Sequence, residues 1–214
     1  HVHSFQRSLA SDDHSDMIQF WTTGAKRPST GITIRGNVLN SGPGAYTQSI
    51  FMRNELVDSG QAGPEMLYRD ILIEENLILN AHLHGITVGE AAGVTIRRNT
   101  LIQNRGSAGD TDWRHLLWAP QISVKPESRA VRIQGNITHV INGFQGQRGW
   151  QVSDNLLIQN QGRASGQPGL HYSRVFEGAG EAGPPGALGT WRLIPGGPGD
   201  RTGLGAQLLR SARP

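Results

Sequence analysis

The chain has 214 residues, a formal net charge of +3 and a sequence pI of about 9.8. It contains no cysteine, which excludes disulfide bonds and thiolate metal sites. Charged residues make up only 17% of it and 29 residues are glycine, which disfavours a helical bundle and favours a turn-rich β protein. No apolar run is long enough to span a membrane, and no charged-then-apolar leader opens the sequence, so we expect a signal peptide to be absent or already removed.

Three kinds of short β-type segment, which we name types A, B and C, recur along the chain in a fixed order. The type A segments are 17–21 (MIQFW), 48–52 (QSIFM), 85–89 (GITVG), 121–125 (QISVK) and 143–147 (GFQGQ). The type B segments are 32–37 (ITIRGN), 71–76 (ILIEEN), 94–99 (VTIRRN), 131–136 (VRIQGN) and 150–155 (WQVSDN). The type C segments are 38–40, 77–80, 100–104, 137–140 and 156–160. Recurrence of this order five times indicates a solenoid.

Alternation within the type B segments predicts which side of each strand is buried. Ile32 and Ile34 in the first copy correspond to Ile71 and Ile73 in the second, with polar residues between and after them. One coil buries little by itself, so the coils must stack in the same direction to share an apolar column. We therefore predict an all-β fold, a right-handed parallel β-helix solenoid of about five coils with three strands per coil.

Two columns of polar residues are predicted to be structural. Asparagine ends every type B segment, and stacked amide side chains can hydrogen-bond from one coil to the next. This asparagine column consists of Asn37, Asn76, Asn99, Asn136 and Asn155. On the outer face, Arg35, Glu74 and Arg97 are expected to be neighbours of alternating sign, each pair worth about 0.2–1 kcal/mol.

The two ends of the chain differ from its middle. Residues 1–160 are predicted to form the parallel β-helix, and the chain begins as if in mid-coil, because HVHSF at 1–5 is similar to AHLHG at 81–85. Residues 161–214 are rich in glycine and proline and are interpreted as a C-terminal cap, linker or tail. We expect residues 170–176 to cover the last coil, since a solenoid end needs a polar cap.

Ionisable residues precede several of the type A segments. We align these segments on their first buried residues, which are Ile18, Ile50, Ile86, Ile122 and Phe144. Four places upstream lie His14, Tyr46, His82, Trp118 and Val140, and two places upstream lie Asp16, Gln48, His84, Pro120 and Asn142. Adjacent coils are about 4.8 Å apart, so these side chains should converge at one edge of a groove. We predict a general acid–base site whose candidate catalytic residues are His14, Asp16, Tyr46, His82 and His84.

Other side chains on these segments are suited to binding a substrate. The candidates are Gln19, Trp21, Gln48, Arg53, Trp118 and Lys125. A mildly basic surface tolerates polyanions, either acidic glycans or nucleic acid. The loop 105–120 also contains Trp113, Arg114 and His115, which would be the alternative location of a groove.

Two other interpretations of the same residues stay open. Polar side chains at coil corners can simply satisfy backbone groups, and aromatic rings there can stack for packing. A metal site is the second alternative: imidazole suits zinc, whereas calcium would draw on the weak candidates Asp12, Asp13 and Asp16, with Glu90. The sequence implies no other cofactor.

The segments GITIRGN, ILIEEN, GVTIRRNT and HGITVG resemble coils of the pectin-lyase-like β-helix superfamily, and the resemblance covers residues 13–160. It implies a protein that handles polysaccharides as a uronate lyase, an alginate C5-epimerase or a polygalacturonase-type hydrolase. Other members are adhesins and phage tail spikes. The fold does not choose among these functions.

The hydrolase comparison fails at one pair of residues. Polygalacturonases carry an Asn-Thr-Asp, an Asp-Asp, a Gly-His-Gly and an Arg-x-Lys on successive coils. Here His84 and Lys125 match, but Thr47 and Gln48 stand where the Asp-Asp pair is needed. An inverting hydrolase requires two carboxyl groups across the bond.

The lyase and epimerase comparison fits better, since Asp12-Asp13-His14 is similar to the acidic cluster that enters a coil in those enzymes. His14, Tyr46, His82 and His84 would then be acid or base. The substrate carboxylate must be neutralised in the carbanion-like state, for which Gln19, Gln48, Arg53 and Lys125 are candidates.

These observations predict a secreted or extracellular protein that acts on an acidic, uronate-containing polysaccharide by proton abstraction at C5, as a lyase or epimerase. One alternative is a non-catalytic glycan-binding, surface or tail-spike-like scaffold module. The other is a polygalacturonase-like glycoside hydrolase. Neither a membrane nor a nucleic acid is the expected partner.

Overall fold

The structure is a computed structural model that describes residues 1–3, 14–43, 47–107, 118–160, 168–179 and 191–210. In chain order the strands of this part are β1 (Val2–His3), β2 (Ser15–Trp21), β3 (Thr30–Arg35), β4 (Val38–Asn40), β5 (Thr47–Arg53), β6 (Tyr68–Glu74), β7 (Leu77–Asn80), β8 (His84–Val88), β9 (Ala91–Arg97), β10 (Thr100–Gln103), β11 (Gln121–Val124), β12 (Arg129–Gln134), β13 (Ile137–Thr138), β14 (Ile141–Asn142), β15 (Gln151–Ser153), β16 (Leu156–Gln159) and β17 (Leu170–His171). One α-helical turn, α1 (Glu55–Asp58), and short 3₁₀ turns at Pro64–Met66, Tyr172–Arg174 and Gln207–Leu209 complete the list.

The strands form three parallel sheets, which correspond to the three predicted segment types. The A sheet has the order β2-β5-β8-β11-β14, and the B sheet has the order β3-β6-β9-β12-β15. The C sheet has the order β1-β4-β7-β10-β13-β16-β17. Every third strand therefore pairs with its equivalent one coil away, and the predicted right-handed parallel β-helix is confirmed.

The interior is the stacked apolar column that the alternation predicted. In the B sheet, Ile34 pairs with Ile73, Ile73 with Ile96, and Ile96 with Ile133. The A sheet contributes a second column in which Ile50 pairs with Ile86 and Ile86 with Ile122. These side chains are at most 6% exposed, so each coil covers the apolar face of the next.

The register of the last two A strands differs from the prediction. Ile141, not Phe144, pairs with Ile122, and Phe144 is 44% exposed. A bulge between Gln121 and Ile122 also places Gln121, not Pro120, opposite His84. Proline has no N–H to donate to a ladder, so the pairing residue is the next one along the chain. The predicted alignment of Pro120, Val140, Asn142 and Phe144 was therefore wrong.

The asparagine column forms a continuous ladder at the corner between the B and C sheets. Asn76 Oδ1 accepts hydrogen bonds from the backbone N–H and the Nδ2 of Asn37, both at 3.0 Å. Asn76 Nδ2 donates in turn to Asn99 Oδ1 at 2.9 Å and to the Ile34 carbonyl at 2.9 Å. The ladder continues through Asn136 to Asn155. The left-handed residue of this corner is the one before each asparagine: Gly36, Glu75, Arg98, Gly135 and Asp154.

The predicted charge ladder on the outer face of the B sheet is also present. Glu74 lies between Arg35 and Arg97, with side-chain distances of 3.4 Å and 2.6 Å, and Arg98 reaches the same carboxylate at 2.9 Å. The hydrogen bond from Arg97 holds the pKa of Glu74 below its usual value, although burial opposes this.

The described residues after position 168 pack against the side of the solenoid. Tyr172, Phe176, Trp191 and Leu193 are at most 3% exposed and share one apolar cluster with outward residues of the C sheet, such as Ile102. Of the predicted cap, Leu170 and His171 instead extend the C sheet as β17. This part of the chain is thus a cover for the C sheet, not a linker.

None of the helices in the described ranges is long and apolar enough to cross a membrane.

Candidate functional site

The outer face of the A sheet carries aromatic rings beside polar side chains. Trp21 is 39% exposed, and Gln19 pairs with the half-buried Phe51 of the next coil. Ser123 and Asn142 follow on later strands and are joined by a 3.2 Å hydrogen bond. The C sheet, by contrast, is covered on its outer side by residues after 168. The A sheet therefore presents the surface on which a ligand could lie across several coils.

The structure brings together most of the predicted catalytic residues near the first residues of the A strands. We call His14, Asp16, His82 and His84 the histidine cluster. His14 Nε2 lies 3.3 Å from Asp16 Oδ2. The rings of His82 and His84 are 5.1 Å apart between centroids, and Trp118 contacts His82 edge to face at 5.2 Å.

Phe51 lies between the two ends of the histidine cluster. Its ring centroid is 6.3 Å from that of His14 and 4.9 Å from that of His84, with both pairs edge to face. Two imidazoles in different surroundings therefore flank one aromatic ring. His14 is half-exposed beside a carboxylate, whereas His84 is largely buried.

Burial sets the protonation state of His84. It lowers the pKa of that imidazole, and the charge of His14 lowers it further. His84 Nδ1 lies 2.7 Å from Thr87 Oγ1. When Nδ1–H donates to this hydroxyl, Nε2 is the nitrogen that can accept a proton. His84 is thus a neutral base at neutral pH.

Asp16 is a buried carboxylate, and one of its oxygens accepts no hydrogen bond from the described residues. Its side chain is only 4% exposed. Burial raises its pKa and the neighbouring His14 lowers it. Asp16 Oδ1 and the buried Gln48 Oε1 of the next coil have no hydrogen-bond partner among the described residues. Both are acceptors, so a donor is needed at this point.

His82 has a different role from the one predicted for a free base. His82 is only 2% exposed, and its Nδ1 accepts a hydrogen bond of 3.2 Å from the backbone N–H of His84. The accepting nitrogen is therefore committed to the turn that presents His84.

Two predicted substrate cations lie at the other ends of the A strands, where they are paired. Asp58 Oδ2 accepts from Arg53 at 3.1 Å and Asp58 Oδ1 from Lys125 at 2.9 Å. The hydrogen bond from Lys125 lowers the pKa of Asp58, and that from Asp58 raises the pKa of Lys125. Arg53 also stacks over Trp21 at 5.1 Å. Sequence reasoning missed Asp58 because it follows β5 in a variable loop.

Of the residues named for calcium, only Asp16 and Glu90 are among the described residues, and they lie near opposite ends of the A strands. Glu90 follows the end of β8 and lies 3.8 Å from Lys125, whereas Asp16 is near the start of β2. Burial raises the pKa of Glu90. Across the ranges that the structure describes, no group of three or more His, Asp or Glu side chains could hold a metal ion. Asp12, Asp13, Tyr46, Trp113, Arg114 and His115 lie outside the described residues.

No protein-family model, no curated protein and no solved structure matches this chain.

Proposed function

We propose that this chain acts on an acidic, uronate-containing polysaccharide by removing the proton at C5, as a lyase or an epimerase. The observation that supports the proposal is that neutral His84 and the His14–Asp16 pair both lie against Phe51 near the start of the A strands. The resemblance of the coils to the pectin-lyase-like superfamily agrees with a polysaccharide substrate.

In the proposed reaction, His84 Nε2 takes the C5 proton of a uronate ring. For a lyase, the C5–H electron pair forms the C4=C5 double bond, the C4–O bond breaks, and the leaving oxygen takes up a proton. For an epimerase, the carbanion-like state is protonated from the opposite face. Proton transfer by a positioned side chain accelerates such steps by roughly two to four orders of magnitude.

The carbanion-like state is accessible only when the substrate carboxylate is neutralised. The His14 imidazole lies beside Asp16 and across Phe51 from the base, where a ring N–H could donate to that carboxylate. No step in this scheme needs a metal ion.

A non-catalytic glycan-binding or scaffold module is the second candidate. It is favoured by the pairing of Arg53 and Lys125 with Asp58, because cations held by Asp58 are less able to neutralise the substrate carboxylate that proton abstraction at C5 requires. Trp21 and Phe51 would then be stacking platforms only. The polygalacturonase-like alternative has less support, since among the described residues Asp16 is the only carboxylate beside the histidines, and such a hydrolase needs two.

The test is to incubate the protein with alginate, pectate and glycosaminoglycans in deuterated water. Ultraviolet absorbance of unsaturated uronate identifies a lyase, and deuterium at C5 without absorbance identifies an epimerase. His84→Ala should abolish either signal, while His171→Ala, which removes a histidine remote from the A sheet, should not. New reducing ends without absorbance or C5 exchange, or binding alone, would reject the proposal.

A further inference from the structure

A cavity of about 200 Å³ adjoins the histidine cluster where the C sheet turns into the A sheet. We call it the corner cavity, and its polar and aromatic lining consists of Trp118, Gln121, His139, Gln159 and Asn160, with Pro168 at its rim. Trp118 contacts His82, and Gln121 pairs with His84, so the cavity opens beside the proposed catalytic residues. Drug-sized ligands occupy cavities of roughly 300–1,000 Å³, so this one suits a single small ring.

One buried residue, Gln103, holds three parts of the lining in place. Its Nε2 donates to the Trp118 carbonyl at 2.9 Å, and its Oε1 accepts from Asn160 Nδ2. Its backbone N–H donates to the Tyr172 hydroxyl at 2.9 Å, and that hydroxyl is also bonded to His139 Nε2. The cavity is therefore built on a hydrogen-bond network and is not a packing gap.

The same network leaves directed polar groups for a ligand. Tyr172 accepts from Gln103 and is also bonded to His139 Nε2; when the hydroxyl donates its proton to Nε2, His139 carries its own proton on Nδ1. Three polar atoms of the lining have no hydrogen-bond partner within the described chain: His139 Nδ1, Asn160 Oδ1 and Gln121 Nε2. None of the three is among the fully buried polar atoms that lack a partner. One acceptor and two donors thus surround an aromatic ring.

The described lining carries no formal charge. It contains no Asp, Glu, Lys or Arg, and burial keeps the His139 imidazole neutral at pH 7. Burial lowers the pKa of His139 to about 4. A carboxylate brought into such a cavity would lose its hydration without gaining a cation, which is costly.

We propose that the corner cavity is a subsite for one uncharged sugar ring, stacked on Trp118 and hydrogen-bonded by His139, Asn160 and Gln121. This inference rests on the proposed function for the neighbouring uronate alone. Together they describe a substrate in which an uncharged sugar adjoins the uronate that reacts, so a mixed polysaccharide is expected to be preferred to a homopolymer of uronate.

The experiment is a titration of the full chain with methyl glycosides of neutral hexoses and pentoses, and with the matching uronic acids, followed by NMR. We expect neutral glycosides to bind and to shift the indole N–H signal of Trp118, assigned by its loss in Trp118→Phe. Trp118→Ala should weaken binding at least tenfold, with partial recovery in Trp118→Phe. Phe144→Ala removes an exposed ring that does not line the cavity and should change nothing.

Tighter binding of uronic acids, equal binding by Trp118→Ala, or no binding of any neutral glycoside would overturn the subsite. If Trp118→Ala does not fold, the wild-type indole signal decides: no shift with a neutral glycoside overturns it equally. The two proposals fail separately. Neutral glycosides that bind a protein without lyase or C5-exchange activity would remove the proposed function, whereas C5 exchange without neutral-sugar binding would remove only the subsite.

Discussion

His14 Nε2 lies 3.3 Å from Asp16 Oδ2, and this pair joins an exposed imidazole to a carboxylate that is almost fully buried. Asp16→Asn keeps the shape of the side chain but removes the carboxylate that positions the His14 ring. We expect the rate of C5 exchange or elimination to fall by roughly two orders of magnitude. The comparison is a rate measurement on Asp16→Asn and His14→Ala at saturating substrate.

The same substitution has an opposite expected effect on stability. Burial raises the pKa of Asp16, so the ionised carboxylate lowers the free energy of unfolding as the pH rises above the unfolded-state pKa. At neutral pH, Asp16→Asn should therefore leave the melting temperature unchanged or raise it slightly. A marked decrease would mean that the pair is a structural ion pair.

His84 should produce an acidic limb in the pH–rate profile. Because burial lowers its pKa, the base remains neutral until the pH is below the usual value of about 6.5, and the rate should fall only there. The unfolded chain takes up this proton at higher pH than the folded one, so stability should also decrease as the pH falls below about 6.5. Thr87→Val removes the hydroxyl bonded to His84 Nδ1. If the acidic limb of this variant is unchanged while His84→Ala is inactive, the hydrogen bond to Thr87 has no role in setting the state of the base.

Asn76→Ala should destabilise the solenoid without affecting the histidine cluster. Asn76 is fully buried, and removing its amide leaves the backbone N–H of Asn37 and the carbonyl of Ile34 without the hydrogen bonds they make to it. Each unsatisfied buried group lowers the free energy of unfolding by about 1–3 kcal/mol. Asn37 is the end of the described ladder and is only half-buried, so Asn37→Ala is the control with a smaller cost. Denaturant midpoints of the two variants would measure the difference, and equal midpoints would contradict the ladder as a source of stability.

Gly135→Ala should loosen the C-terminal cover. A Cβ at Gly135 would lie 2.2 Å from the Gly203 carbonyl oxygen, and Gly205 N–H donates to the Gly135 carbonyl at 2.8 Å. Gly36 has the same left-handed conformation at the equivalent corner, with nothing within 4 Å of its Cβ position. Gly36→Ala therefore controls for backbone strain, about 1–2 kcal/mol. Faster hydrogen exchange at residues 191–210 in Gly135→Ala alone is the expected result.

Ala130→Gly should stabilise the fold by roughly 0.5–1 kcal/mol. Ala130 has a φ of 50°, in a row where Gly93 and Gly149 occupy the neighbouring coils. Ala92→Gly, in an ordinary strand position, should destabilise it by a similar amount. Thermal melts of both variants test the sign of each change.

The sequence by itself determined the coils, because strand alternation has a period of two and a slip of one residue would turn every apolar side chain outward. The asparagine column was likewise predictable, since an asparagine ends every type B segment and stacked amides can hydrogen-bond from one coil to the next. It also placed His14, Asp16, His82 and His84 near one another, because strands of consecutive coils stack in register.

Only the tertiary structure decided the features that depend on contacts distant along the chain. The register shift at Gln121 depends on how β11 pairs with β8. The pairing of Ile141, in place of the predicted Phe144, with Ile122 depends on how β14 pairs with β11. The ion pair that balances the charge of Lys125 depends on Asp58, 67 residues away in the sequence. The C-terminal cover contains no repeat from which the sequence could predict it. Its glycines allow a close approach to the C sheet. The apolar residues scattered among them form one buried cluster only when the chain is folded.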